Sequence, residues 1–64
     1  PRKLLDRLKA EFEPKTWELF RRFVLDGAPA DEVAAELGAT PNAVYIAKSR
    51  VLARLREEAV GLLG

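Results

Sequence analysis

The sequence has no cysteine, no histidine and no methionine. Without cysteine the chain forms no disulfide, and a zinc site built from carboxylates alone would be unusual. No apolar run approaches the ~20 residues that span a bilayer, and no segment resembles a signal sequence. We therefore expect no metal, no cofactor, no membrane partner and a cytoplasmic location. Because the chain begins at Pro1, we also expect it to be a piece of a longer protein.

Side chains that perform catalysis are equally scarce. The only serine is Ser49, and the nearest base in sequence is its neighbour Lys48. Adjacent residues on a helix point about 100° apart, so these two side chains do not face each other. An activated nucleophile needs its base within hydrogen-bond reach. The sequence therefore predicts a domain that is not an enzyme.

Proline and glycine divide the 64 residues into four apolar-periodic segments. The segments predict helices at about 2–11, 14–26, 30–37 and 41–60. No stretch alternates apolar and polar residues as a half-buried strand does. The predicted fold is therefore all-α, a single four-helix domain over residues 1–64.

The second predicted helix has clear ends and one apolar stripe. Pro14 suits a first helical position, and Gly27 accepts the left-handed conformation that ends a helix. Trp17, Phe20 and Val24 recur at i, i+3 and i+7. This spacing predicts that the three side chains share one buried face.

The third and fourth predicted helices are separated by a very short turn. Gly38 ends the third helix, Thr40 is a good N-cap, and Pro41 is a good first residue of the fourth. Two helices joined so closely cross steeply and leave room only for small side chains, as in a helix-turn-helix. We expect their shared core to be formed by Val33, Ala34, Leu37, Val44 and Ala47.

Basic charge is concentrated on the fourth helix. Residues 41–56 hold four basic side chains and no acid, whereas residues 30–40 hold three acids and no base. The outward face of such a helix fits the DNA major groove, where cations meet phosphates. The alternative is an ordinary solvated helix surface, and the sequence leaves it open.

The candidate DNA-binding residues lie between the N-cap and residue 54 of this helix: Thr40, Asn42, Ala43, Tyr45, Ile46, Lys48, Ser49, Arg50 and Arg54. Lys48 and Arg50 are the foremost candidates for phosphate contact, and Arg54 is expected to touch the DNA backbone at most. Arg56 is expected to pair with Glu57, with Glu58 or with an acid elsewhere in the chain.

Three of these residues have competing interpretations. Asn42 suits bidentate reading of adenine, or it is simply a solvent-exposed residue of the first turn. Tyr45 contacts a base or a phosphate, or it packs on a neighbouring helix. The Thr40 hydroxyl caps the helix, and the exposed amides beside it favour a phosphate.

The stretch EVAAELGATPNAVYIAKSRVLARLR, residues 32–56, resembles region four of bacterial RNA polymerase sigma factors. The preceding FEPKTWELFRRFVLDGAPADEVA, residues 12–34, is similar to the extracytoplasmic-function group. The resemblance implies recognition of promoter DNA at the minus-thirty-five element and docking on the β-flap of core RNA polymerase. In this family an anti-sigma protein often covers the same surface.

The chain departs from the family pattern at several positions. Pro29 stands where a serine usually caps the third helix, and Val51 stands where alanine commonly follows the recognition-helix arginine. Tyr45 and Ile46 are bulky and apolar for a groove-facing surface. These departures imply a base sequence that differs from the one better-known relatives read.

The sequence leaves two other functions open. One is the effector domain of a different helix-turn-helix regulator, which would dimerise through its long fourth helix and bind a palindromic site. The other is a protein-interaction module, with the first helix's leucines and the pair Tyr45 and Ile46 as its contact surfaces. The leucines concerned are Leu4, Leu5 and Leu8.

Overall fold

A computed structural model describes the backbone of residues 2–63 and the side chains of residues 4–61. It contains α1 (Arg2–Glu11), α2 (Pro14–Phe20), a π-helical turn (Arg21–Leu25), α3 (Ala30–Leu37) and α4 (Pro41–Leu63). Residues 2–63 include no strand. The prediction of an all-α, four-helix fold is confirmed, although α4 is longer than expected.

The second helix does not continue as a regular α-helix to residue 26. The N–H of Asp26 donates to the carbonyl of Arg21, five residues earlier, at 2.9 Å. This wider turn changes the angular spacing of its side chains, so a 3.6-residue period cannot be extended through it. The prediction that Val24 is buried is therefore wrong, since its side chain is 37% exposed. Phe23 is partly buried instead and packs against the core.

The link between α3 and α4 is residues 38–40. Gly38 ends α3 at φ 64°, in the left-handed region that glycine adopts without strain. The N–H of Ala39 then donates to the carbonyl of Ala34 at 2.8 Å. At the start of α4, Thr40 Oγ1 accepts a hydrogen bond from the Ala43 N–H at 3.1 Å, which confirms the predicted cap.

The start of α3 lacks such a cap. Pro29 is its N-cap residue and makes no side-chain cap hydrogen bond. The Pro29 carbonyl nevertheless accepts the N–H of Val33 at 3.0 Å, so the first intrahelical bond forms. The helix start is therefore kept without a capping serine.

Two apolar clusters hold the helices together. The first joins α2, α3 and α4 through Leu19, Ala30, Val33, Ala34, Val44 and Ala47, with Leu37 half-buried at its edge. The second joins α1, α2 and α4 through Leu8, Trp17, Phe20 and Val51, with Leu4 and Leu5 half-buried against it. Both clusters press on the same side of α4. Their contacts with α4 extend from Ala43 to Leu55, and the opposite side of that segment is exposed.

Candidate nucleic-acid interface

The outward side of α4 presents a small, largely uncharged surface. The helix advances by about 100° per residue, which places Asn42, Ile46 and Ser49 opposite the buried Val44 and Val51. Tyr45 lies beside them and is 51% exposed, while Ile46 is 43% exposed. We call Asn42, Tyr45, Ile46 and Ser49 the reading face.

One cation lies on each side of the reading face. Lys48 and Arg50 are both exposed. Around the helix axis they are about 200° apart when the angle is measured through the reading face, so one lies on each side of it. Among the residues whose side chains are described, no carboxylate lies within ion-pair distance of either one. A helix in the major groove has a phosphate backbone on each side. Contact of Lys48 and Arg50 with these backbones stays a prediction.

The N-terminal turn of α4 joins the same surface. Thr40 is exposed, but its hydroxyl is already engaged as the helix cap. Ala43 is half-buried against the first apolar cluster, so only part of its surface reaches outward. The amides of this first turn point along the axis, where an anion is favoured. Contact of Thr40 or Ala43 with DNA stays a prediction.

Arg54 does not join the other candidate residues. Its Nε donates to Glu11 at 2.8 Å and its Nη2 donates to Glu58, also at 2.8 Å. The hydrogen bond to Glu11, followed by that to Glu58, raises the pKa of the Arg54 guanidinium. Arg54 ties α4 to α1, so its charge is matched within the domain.

Arg56 differs from its expected role as well. Glu58, one of the acids expected to pair with Arg56, pairs with Arg54 and with Arg7 instead. Within the described side chains Arg56 has no ion-pair partner, and it is exposed. Its angular position continues the reading face toward the C-terminal end of α4.

The two arginines of the π-helical turn are matched by acids. Arg21 pairs with Glu18 at 2.7 Å and with Asp26 at 2.9 Å. Arg22 pairs with Asp26 at 3.1 Å and with Glu36 at 2.6 Å, which brings together α3 and the π-helical turn. The hydrogen bond from Arg21 lowers the pKa of the Glu18 carboxyl. Glu36, one of the three acids in residues 30–40, therefore neutralises part of the charge of Arg22.

Two further features were missed from the sequence. A shallow cleft of about 170 Å³ lies between α2 and α4, lined by Thr16, Leu19, Ala43, Ile46, Ala47 and Arg50. On the other side of α4, the Phe23 ring lies 5.4 Å from the Tyr45 ring, and Lys48 Nζ lies 5.7 Å from the Phe23 centroid. Neither feature follows from one helix alone, because each needs the packing of α4 on the second helix.

Comparison of the chain with family models, curated proteins and solved structures finds no match. Among the described residues, no three acidic side chains are grouped so that they could hold a metal ion. No helix in that part of the chain has the length and apolar character needed to cross a membrane.

Proposed function

We propose that this chain binds duplex DNA by inserting the outward side of α4 into the major groove, as region four of a sigma factor. The observation that supports it most strongly is the placement of Lys48 and Arg50 on either side of an uncharged reading face. These cations have no acidic partner among the described side chains, while Arg21, Arg22 and Arg54 all do. Unmatched positive charge is therefore located where a groove-bound helix needs it.

Affinity and specificity come from different residues in this mechanism. Lys48 and Arg50 contact phosphates and supply a salt-dependent attraction that is the same for every sequence. Asn42 offers an amide that can both accept from and donate to the edge of adenine. Ile46 and Tyr45 offer apolar surface that suits the methyl group of thymine. The reading face therefore favours A·T pairs near the start of α4.

The assignment to transcription initiation rests on the resemblance to sigma region four. In that setting the domain recognises the minus-thirty-five element, docks on the β-flap of core RNA polymerase and acts in the cytoplasm. One module of this size buries only ~600–1,000 Å² of protein surface on DNA, so we expect weak binding by the isolated chain. Attachment to polymerase would raise its effective concentration at the promoter.

Selection from a pool of random duplexes tests the DNA-binding proposal without assuming a promoter sequence. The selected duplex and a scrambled duplex of equal length and composition are then compared by fluorescence anisotropy at low and moderate salt. We expect tighter binding to the selected duplex, and weaker binding of both as salt rises. Failure to enrich any sequence, together with no binding at low salt, would overturn the proposal.

A second experiment separates a sigma factor from its two rivals. The chain is titrated with purified core RNA polymerase, and its association state is measured by sedimentation with and without the selected duplex. A monomer that binds both polymerase and a non-palindromic site fits the proposed function. A dimer on a palindromic site would point to another helix-turn-helix regulator. Polymerase binding without any DNA binding would favour a protein-interaction module.

A further inference from the structure

Phe23 lies beneath two residues of the proposed DNA-binding surface. Its ring is edge-to-face with that of Tyr45, at an interplanar angle of 89°. Lys48 Nζ sits over the same ring, 5.7 Å from its centroid. Tyr45 and Lys48 are one helical turn apart on α4, so a single side chain from the second helix contacts both. Phe23 itself is half-buried, which fixes its own position against the first apolar cluster.

We propose that Phe23 is a positioning residue, which holds Tyr45 and Lys48 in the conformations that meet DNA. This inference rests on the proposed function. Lysine has one of the most mobile side chains, and a free lysine must be ordered when it contacts a phosphate. The cation–π contact restricts Lys48 before binding, and the aromatic contact restricts Tyr45 in the same way. The ordering that binding requires is then partly complete in the free domain.

The π-helical turn is the structural origin of this arrangement. Phe23 lies in the middle of the turn Arg21–Leu25, where the regular helical period of α2 is broken. The turn is followed directly by Asp26, which pairs with both Arg21 and Arg22. These ion pairs connect both ends of the turn and help to keep its geometry. A π-helical turn is often found where a functional side chain must be placed outside the regular period.

The first test needs no DNA, because it is made on the free protein. A lysine held over an aromatic ring shows upfield-shifted side-chain protons in its NMR spectrum. We expect such shifts for the ε-methylene of Lys48, and we expect Phe23→Leu to abolish them. Ordinary solvent-like shifts for Lys48 in the wild-type chain would overturn the inference, whatever the DNA measurements show.

The second test compares two equivalent substitutions. Phe23→Leu removes the ring beneath Tyr45 and Lys48, whereas Phe12→Leu removes a half-buried ring from the second apolar cluster. Both are measured below their unfolding midpoints against the duplex selected by the wild-type chain. We expect roughly two- to fivefold weaker binding for Phe23→Leu, because this is the change in affinity that loss of an exposed cation–π contact produces. Binding should be unchanged for Phe12→Leu.

A double-variant cycle distinguishes positioning from general loosening of the fold. Lys48→Met keeps an unbranched side chain without its charge. On that background, Phe23→Leu should weaken binding less than it does in the wild-type chain. Equal losses on both backgrounds, or equal losses for Phe23→Leu and Phe12→Leu, would overturn the positioning role. A wild-type chain that binds no duplex would instead overturn the proposed function, and the inference with it.

Discussion

Two arginines on α4 allow a matched test of where the DNA binds. Arg50 is exposed beside the reading face, and Arg54 lies one turn further along, paired with Glu11 and Glu58. Arg50→Ala and Arg54→Ala change the net charge of the chain equally. Any difference between them in DNA binding therefore reports the location of the charge and not its amount.

The expected magnitude follows from counterion release. Each phosphate contact contributes about 0.9 to the slope of log affinity against log salt, so one contact accounts for about a 3.5-fold loss between 50 and 200 mM salt. We expect Arg50→Ala to lower the slope by about 1 and to weaken binding to all duplexes. Arg54→Ala should leave the slope unchanged, because its charge is already matched within the domain. Its effect should be a lower midpoint of thermal unfolding, since the ion pair between Arg54 on α4 and Glu11 on α1 is lost.

The measurement is fluorescence anisotropy across a salt series, with circular dichroism melts of both variants as the control for folding. Equal slopes for Arg50→Ala and the wild-type chain would refute the placement of Arg50 at a phosphate. A reduced slope for Arg54→Ala alone would show that DNA lies on the α1 side of α4, away from the reading face.

Three further predictions concern recognition and stability. Replacing thymine by deoxyuridine in the selected duplex should weaken binding of the wild-type chain by a few-fold. Binding of the Ile46→Ala variant should not change, because the substitution has already removed the contact with the thymine methyl group. Anisotropy titrations test this, and equal losses of affinity for both proteins would contradict it. A Cβ atom added at Gly38 or at Gly61 would have no neighbouring atom within 4 Å. The effect of alanine on the free energy of unfolding therefore depends on the backbone conformation at each site. In denaturant titrations we expect Gly38→Ala to destabilise by about 1 kcal/mol, since its φ is 64°, and Gly61→Ala, inside α4, to stabilise by up to about 1 kcal/mol. The lowered pKa of Glu18 stabilises the fold above the ordinary carboxyl pKa of 4.5, and this contribution is lost as the pH falls through the folded-state pKa. Glu18→Gln should therefore lower the midpoint of thermal unfolding at neutral pH, and the difference in midpoint from the wild-type chain should disappear in acid. A constant difference in midpoint at all pH values would count against the pairing of Glu18 with Arg21.

Local signals in the sequence were sufficient to predict most of the fold. Pro14, Gly38 and the pair Thr40 and Pro41 mark helix ends through their own backbone preferences, which do not depend on distant residues. The 3.6-residue period then identified the buried sides of α3 and α4 correctly, including Val33 and Val44. Such features are encoded within one or two helical turns and can therefore be recognised in sequence.

The errors arose where the structure depends on contacts between helices. The apolar period predicts a buried Val24 because nothing in the sequence marks a π-helical turn after Phe20. The sequence does not predict the pairing of Arg54 with Glu11, because Glu11 lies far away in sequence, on α1. The i, i+4 spacing of Arg54 and Glu58 was a usable local signal for part of that pairing. The contacts of Phe23 had no such signal.

The most direct test of the central claim is an NMR titration of isotope-labelled protein with the duplex selected from the random pool. Backbone amide and side-chain shifts are followed at low salt and again as salt is added. We predict saturable shifts concentrated on residues 40–50, including the Asn42 side-chain amide, that weaken as salt rises. Shifts located mainly on α1, or none on residues 40–50, would contradict the claim that the outward side of α4 binds DNA.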